Sequence, residues 1–379
     1  MKGRLMKSLK TWQVFTLLAL CVLHIQLACS IAENGPDPRP EVLTALAANV
    51  IIPRYADFQL AMDLAAAEVE AFCAEPSQDG LELSRLAISE AYLLWKRSEV
   101  IAFGPHREQP WAIAGKLDLW PVRPENVQEV LDGEGAVDEE GLISVINGAK
   151  GLPAVQWLLW ERGEDSLEAF TGSAAGQRRC ALLTGLSAEA ASRAATMVQA
   201  WSSEGDDWQL EFANPPGPLG RFLTSQDAVS ELVNRMIFTV ENIRLLKLGK
   251  PIGFEAQGQI QPDRLEAPYS GNSLAACRAN LAGLVEVFHG SYGNSSGKGL
   301  ADLLPEARRA ELVTSFDLAM SDSEQSLASI TEPLSATIFA APDEVEATIE
   351  ILRQLQVVLQ VDIAQALAVT VRFNDTDGD

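Results

Sequence analysis

Residues 53–72 read PRYADFQLAMDLAAAEVEAF, and the spacing of their apolar side chains decides the fold. Phe58, Met62, Ala65, Val69 and Phe72 recur three or four places apart. That interval returns each side chain to one face of a 3.6-residue turn. A strand would instead alternate its faces every second residue, so the stretch predicts an amphipathic helix. The same period runs through 81–103 (LELSRLAISEAYLLWKRSEVIAF), 273–288, 306–330 and 343–369. It also runs through 225–249 (SQDAVSELVNRMIFTVENIRLLKLG), where Ser225 is the expected N-cap. No stretch sustains the alternation, β-branched enrichment and paired turns of a hairpin. The expected fold is all-α.

Connectors rich in glycine and proline separate these helices at 104–124, 132–151, 202–220 and 249–273. The last carries three prolines and four glycines and is the expected domain boundary. FQLAM at 58–62 is echoed by FDLAM at 316–320, each inside a long helix. The expected organisation is a leader over 1–30, an N-terminal helical domain over 31–260 and a C-terminal helical bundle over 261–379. The two helical-bundle domains would be related by duplication.

The leader places Lys2, Arg4, Lys7 and Lys10 before the apolar run TWQVFTLLALCVLHIQLA, followed by Cys29 and Ser30. A basic head, a greasy middle and a small-residue end make a secretory signal peptide, which implies the periplasm or cell envelope. A membrane anchor is the alternative, but Gln13, His24 and Gln26 dilute the run. Cleavage near Ser30 leaves a free chain, and cleavage before Cys29 leaves a lipoprotein. No later run is long and apolar enough to give a transmembrane helix in the mature chain.

The formal net charge is −23, and the leader holds only cations, so the remainder is more acidic still. Such a surface repels nucleic acid and anionic lipid, and no Lys/Arg cluster beyond residue 30 offsets it. Beyond the leader lie Cys73, Cys180 and Cys277. In an oxidising compartment a disulfide is expected, with Cys73–Cys180 preferred among three pairings and Cys277 left as a buried thiol.

Motifs for catalysis are sought without success. His106 and His289 are the histidines beyond the leader, and there is no HExxH and no zinc-type Cys/His spacing. His106, in a proline-bounded loop, reads as solvated, and His289 reads as the cationic end of a helix capped by Gly290. GSYGNSSGKG at 290–299 has Tyr292 and Gly299 where a phosphate loop needs glycine and Ser/Thr, and no GxSxG elbow is found. The terminal NDTDGD resembles half a calcium loop but reads as a frayed acidic end.

Nine segments, in order, resemble the imelysin-like family, bacterial envelope proteins named after a reported metallopeptidase and linked to iron uptake. They are VIIPRYADF at 50–58, FCAEP at 72–76, FGP at 103–105, LDLWP at 117–121, GLPAVQWLLW at 151–160, RRC at 178–180, LLKLGKPIG at 245–253, APYSGNSL at 267–274 and FNDTDGD at 373–379. The resemblance implies an all-helical fold of two bundles. It also implies a GxHxxE motif at a helix start, where His and Glu at i and i+3 grip a metal between them. Here the matching residues are Gly151, Pro153 and Gln156. Proline offers no lone pair and glutamine no charge, so the expected iron or zinc grip is degenerate, with no metal cofactor and no catalytic residue assigned. Pro153 still suits a first helical turn.

Gln156 reads either as a hydrogen-bonded core amide or as part of a ligand pocket. The family's motif positions would collect Gly151, Pro153, Gln156, Trp157, Asp118, Ser270 and Ser273 in that pocket. The expected function is an exported, non-catalytic binding or scaffold protein associated with iron uptake, its envelope partner or small ligand unnamed. The alternatives are a metallopeptidase with unrecognised ligands and a structural envelope protein binding a basic partner.

Overall fold

In the computed structural model, residues 36–372 are described; the leader, Cys29 and the last seven residues lie outside the described residues. By its contacts the chain divides into Met1–Pro38 and Arg39–Asp379, and every element below belongs to the second unit. Helix α1 (Arg39–Leu46) runs through a π-helical turn, Ala47–Ile51, into α2 (Ile52–Ala74). All five apolar positions of the opening stretch are buried on α2, together with Tyr55. Helix α3 (Gln78–Ser98) begins where the Ser77 hydroxyl accepts the Gly80 N–H at 3.2 Å. It returns antiparallel to α2, since Ser84 meets Glu68 and Arg97 meets Arg54.

Helix α4 (Gly151–Trp160) leads to α5 (Ala174–Trp201), which packs along α2 and α4. Helix α6 (Ser225–Asn242) continues as a second π-helical segment, Ile243–Gly249. Its N-cap is Thr224 rather than the expected Ser225, because the Thr224 hydroxyl and the Asp227 carboxylate satisfy each other's backbone N–H in a capping box. Helix α7 (Ser273–His289) stops at Gly290, which holds φ +71° as a left-handed C-cap. Helix α8 (Glu306–Ser329) packs on α9 (Pro342–Val357), which ends in a third π-helical turn, Val358–Ile363.

Among the described residues the fold is all-helical apart from a hairpin of two-residue strands, Ser291–Tyr292 against Ser295–Ser296, turning at Gly293 and Asn294. The connectors hold short helices at Ala114–Leu117, Glu139–Leu142 and Trp208–Ala213, and another, Pro124–Asp132, lies between the first two connectors. Phe58, Met62, Phe316 and Met320 all point into the apolar core. Helix α7 lies against α3 at Gly283, where a Cβ would sit 2.3 Å from the Arg97 carbonyl oxygen. Buried Arg54 ties three helices at that crossing, donating to the Arg97 carbonyl at 3.1 Å and pairing with Glu286. Among the described residues, no helix is long and apolar enough to cross a membrane.

Candidate functional site

The last two turns of α3 carry Tyr92, Trp95 and Lys96 inward, and Glu99 follows in a 3-10 turn. Lys96 is fully buried. Its Nζ donates to Glu99 Oε1 at 2.9 Å, to Glu266 Oε1 at 2.7 Å and to Asp118 Oδ2. Lys247, in the π-helical segment after α6, donates to Glu99 Oε2 at 2.8 Å and Asn280 Oδ1 at 2.7 Å. It also pairs with Glu266 Oε2 at 3.0 Å. Asn280 on α7 closes the group by donating to the Lys96 carbonyl at 2.6 Å and Glu99 Oε2 at 2.8 Å.

Two ammonium groups thus sit among three carboxylates, away from water. Buried charge of this kind persists only when each ion is paired and hydrogen-bonded. Burial alone pulls Lys96 down, yet Asp118, Glu266 and Glu99 outweigh it and hold the ammonium well above its ordinary range. Burial likewise pushes Glu99 up, and Lys247 and Lys96 overcome it to hold the carboxylate well below its ordinary range.

Asp118 ends the short helix Ala114–Leu117 and accepts from Trp95 Nε1 at 2.9 Å. His106 stacks flat on the other side chain of that pair, with ring centroids of Trp95 and His106 4.6 Å apart and 7° between planes. His106 is not solvated, as its loop suggested, but 4 % exposed. The turn Gly104–His106 is packed beneath Trp95, and nothing in its local sequence announces that partner. Burial lowers its pKa to about 3, so the ring is neutral in any ordinary medium. Neither ring nitrogen has a partner among the described residues. His289 does end α7, beside Gly290, 2.8 Å from Asp317.

Helix α4 begins at Gly151, whose φ of +72° and close approach both require glycine: a Cβ there would lie 2.3 Å from the Leu117 carbonyl oxygen. That contact presses the start of α4 against the turn that carries Asp118. Pro153 occupies the first turn of α4, as expected. Asp118, Pro153 and Gln156 then line one small cavity, of about 10 Å³, with Tyr92 and Trp120. That is room for about one water molecule. Three buried polar atoms of its lining residues have no partner among the described residues: Tyr92 Oη, Asp118 Oδ1 and Gln156 Nε2.

Gln156 Oε1 accepts from Ser270 Oγ at 3.2 Å. Ser273 donates instead to the Glu266 carbonyl, holding the loop that carries Glu266. Trp157 faces α5, under the Arg179 guanidinium at 5.3 Å. Asp118, Pro153, Gln156 and Ser270 therefore meet at one place, and Trp157 and Ser273 serve its surroundings.

Asp118, Trp120 and Pro121 also line a second, open cleft of about 560 Å³, with Glu99 and His106 among its other lining residues. Elsewhere, Cys73 at the end of α2 and Cys180 on α5 are both thiols, with Cys73 Sγ donating to the Cys180 carbonyl at 3.6 Å. They line a groove of about 670 Å³. Cys277 is fully buried, and burial pushes its thiol up to about 12.

Sequence reasoning missed Lys96, Lys247, Glu99, Glu266 and Asn280. A signal was present: Lys96 lies in phase with buried Leu81, Ile88 and Tyr92 on α3, where a lysine is rare unless paired. Glu99 lies three residues on, but Asp118 and Glu266 come from 22 and 170 residues away and leave no local trace.

The site is thus a buried cluster of paired charges inside an all-helical body, next to a helix opening on GxPxxQ. The chain belongs to the imelysin family, whose sequence profile, described as Imelysin, matches residues 51–360. It is 22 % identical over 291 residues to iron-regulated protein A of Synechococcus elongatus, covering 76 % of this chain and 75 % of that protein. Two crystal structures share the fold, each with a TM-score of 0.72, 18 % identity and coverage of 89 % of this chain. One is an iron-regulated protein A precursor from Parabacteroides distasonis, matched over 97 % of its length. The other is an imelysin-like protein from Psychrobacter arcticus, matched over 99 %.

Proposed function

We propose that this protein is an exported, non-catalytic binding or scaffold protein of the imelysin family that acts within iron uptake in the cell envelope. One observation carries the reading: the donors at the motif positions do not fit a metal ion. Pro153 has no lone pair to give, and Gln156 brings a neutral amide to a cavity of about 10 Å³. The carboxylates of Glu99, Asp118 and Glu266 have oxygens within 4.8 Å of one another, a spacing a cation would accept. They are already bound by the ammonium groups of Lys96 and Lys247. A divalent or trivalent ion would have to displace both lysines into a low-dielectric interior, which disfavours it strongly.

A metallopeptidase holds its ion with three protein ligands and keeps one position open, a set that Pro153 and Gln156 do not provide. The basic-apolar-small order of the leader supports export, with an end at Ser30 or a lipid on Cys29. The names of the relatives, iron-regulated protein A in two cases, support the link to iron. The echo of FQLAM and FDLAM, each with its Phe and Met in the core, supports two bundles derived by duplication and meeting near residue 260.

The test of the non-catalytic reading is incubation of the purified protein and Zn²⁺ with a peptide library. The peptides are expected to remain intact by mass spectrometry. Cleavage that a chelator stops and that Gln156→Ala abolishes would overturn it.

A further inference from the structure

The cavity at Gln156 admits no more than one water, so a ligand of any size must bind elsewhere, and the adjoining cleft of about 560 Å³ is in the range of small-molecule sites. We propose that this cleft binds a small organic anion bearing two or more carboxylates, an inference that rests on the non-catalytic binding role above and gives it a ligand class. The first support is charge. Arg107, Lys250 and Arg264 all line the cleft, in a chain whose net charge is −23. Among the described residues, Lys250 and Arg264 pair with exposed carboxylates, Glu255 at 3.3 Å and Asp263 at 3.7 Å. Exposed pairs of this kind contribute little and are readily exchanged for a better-seated anion.

The second support is His106. It lines the cleft, is 4 % exposed, and has two ring nitrogens without a partner among the described residues. A neutral imidazole offers one N–H and one lone pair, which suits a carboxylate beside a hydroxyl or a second, protonated oxygen. A buried polar ring left unbonded is costly, so a ligand that satisfies it gains specificity over one that cannot. Trp120, Leu119 and Leu246 give the cleft an apolar wall for a carbon skeleton. Glu99 and Asp118, which would repel an anion, are paired with Lys96 and Lys247; those lysines also hold Glu266, so the cluster keeps one net negative charge that Arg107, Lys250 and Arg264 outnumber.

Calorimetric titration of the full protein with citrate, its neutral triethyl ester and inorganic phosphate tests the proposal. Citrate is expected to bind one to one, to weaken as salt rises, and to exceed the ester and phosphate at least tenfold in affinity. Lys250→Ala/Arg264→Ala, whose changed side chains lie at the surface, is expected to lose tenfold or more, and His106→Phe to narrow the preference for citrate over phosphate. Equal binding of citrate and ester, phosphate binding as tight as citrate, or undiminished citrate binding by the double variant would overturn the proposal. The peptide assay decides the non-catalytic reading separately: intact peptides without citrate binding sink only the ligand class, and cleaved peptides sink the role whatever the cleft binds.

Discussion

Gly151 and His106 show how single residues hold the site in shape, one legible in the chain and one not. A Gly151→Ala change adds a left-handed penalty of about 1–2 kcal/mol to a collision with the Leu117 carbonyl, so a loss of about 2 kcal/mol or more is expected in urea unfolding. An unchanged midpoint would remove the contact that aims α4 at Asp118. For His106 the folded pKa of about 3 lies below the value near 6.5 of an unfolded chain. The unfolded state therefore takes up a proton that the folded state refuses. Stability from the neutral ring is complete above about pH 6.5 and is lost as pH falls toward 3, by about 2 kcal/mol at pH 5. Urea midpoints at pH 7 and pH 5 are expected to differ by that much less in His106→Phe, which keeps an aromatic ring on Trp95. Gly151 and Pro153 could be read from the chain because turn and first-turn chemistry is local; His106 could not, because Trp95 reaches it only through the fold.

At the level of elements, the helices were legible and their embroidery was not. The period of Phe58, Met62, Ala65, Val69 and Phe72 survives folding intact, since burial of one face is what the period encodes. The short helix Pro124–Asp132 is only nine residues between two Gly/Pro-rich connectors, and the hairpin at Gly293 lies in a glycine-rich stretch, so neither shows a sustained period. Lys96, on the buried face of α3, is the element's weak point. Lys96→Met leaves Asp118 and Glu266 short of a buried counter-ion and is expected to cost about 3–5 kcal/mol in unfolding free energy, measured by denaturant titration. A variant as stable as the parent would mean the carboxylates are not held as charges. Between α2 and α5, a hydrogen bond between the two thiol side chains raises Cys73 and lowers Cys180. Oxidation is expected to join them, lowering the intact mass by the two thiol hydrogens and stabilising the fold by about 2–4 kcal/mol. A non-reducing peptide map that finds Cys277 paired instead would refute that choice.

Across the whole molecule, composition and segment order carried the family and the all-helical class, while the charged cluster stayed hidden because it is assembled from α3, the Asp118 turn, the segment after α6, and α7. The Lys96–Glu266 pair and the packing of α3 on α7 both cross the boundary expected near residue 260. Removing a charge there is therefore expected to destabilise the chain as one cooperative unit. The account turns on the donors at Pro153 and Gln156, and titration of Fe²⁺, Fe³⁺ and Zn²⁺ into the purified protein, beside Pro153→His/Gln156→Glu, tests it most directly. The parent is expected to give no stoichiometric sub-micromolar binding and the double variant to gain it. Stoichiometric binding by the parent that vanishes in Gln156→Ala would contradict the account.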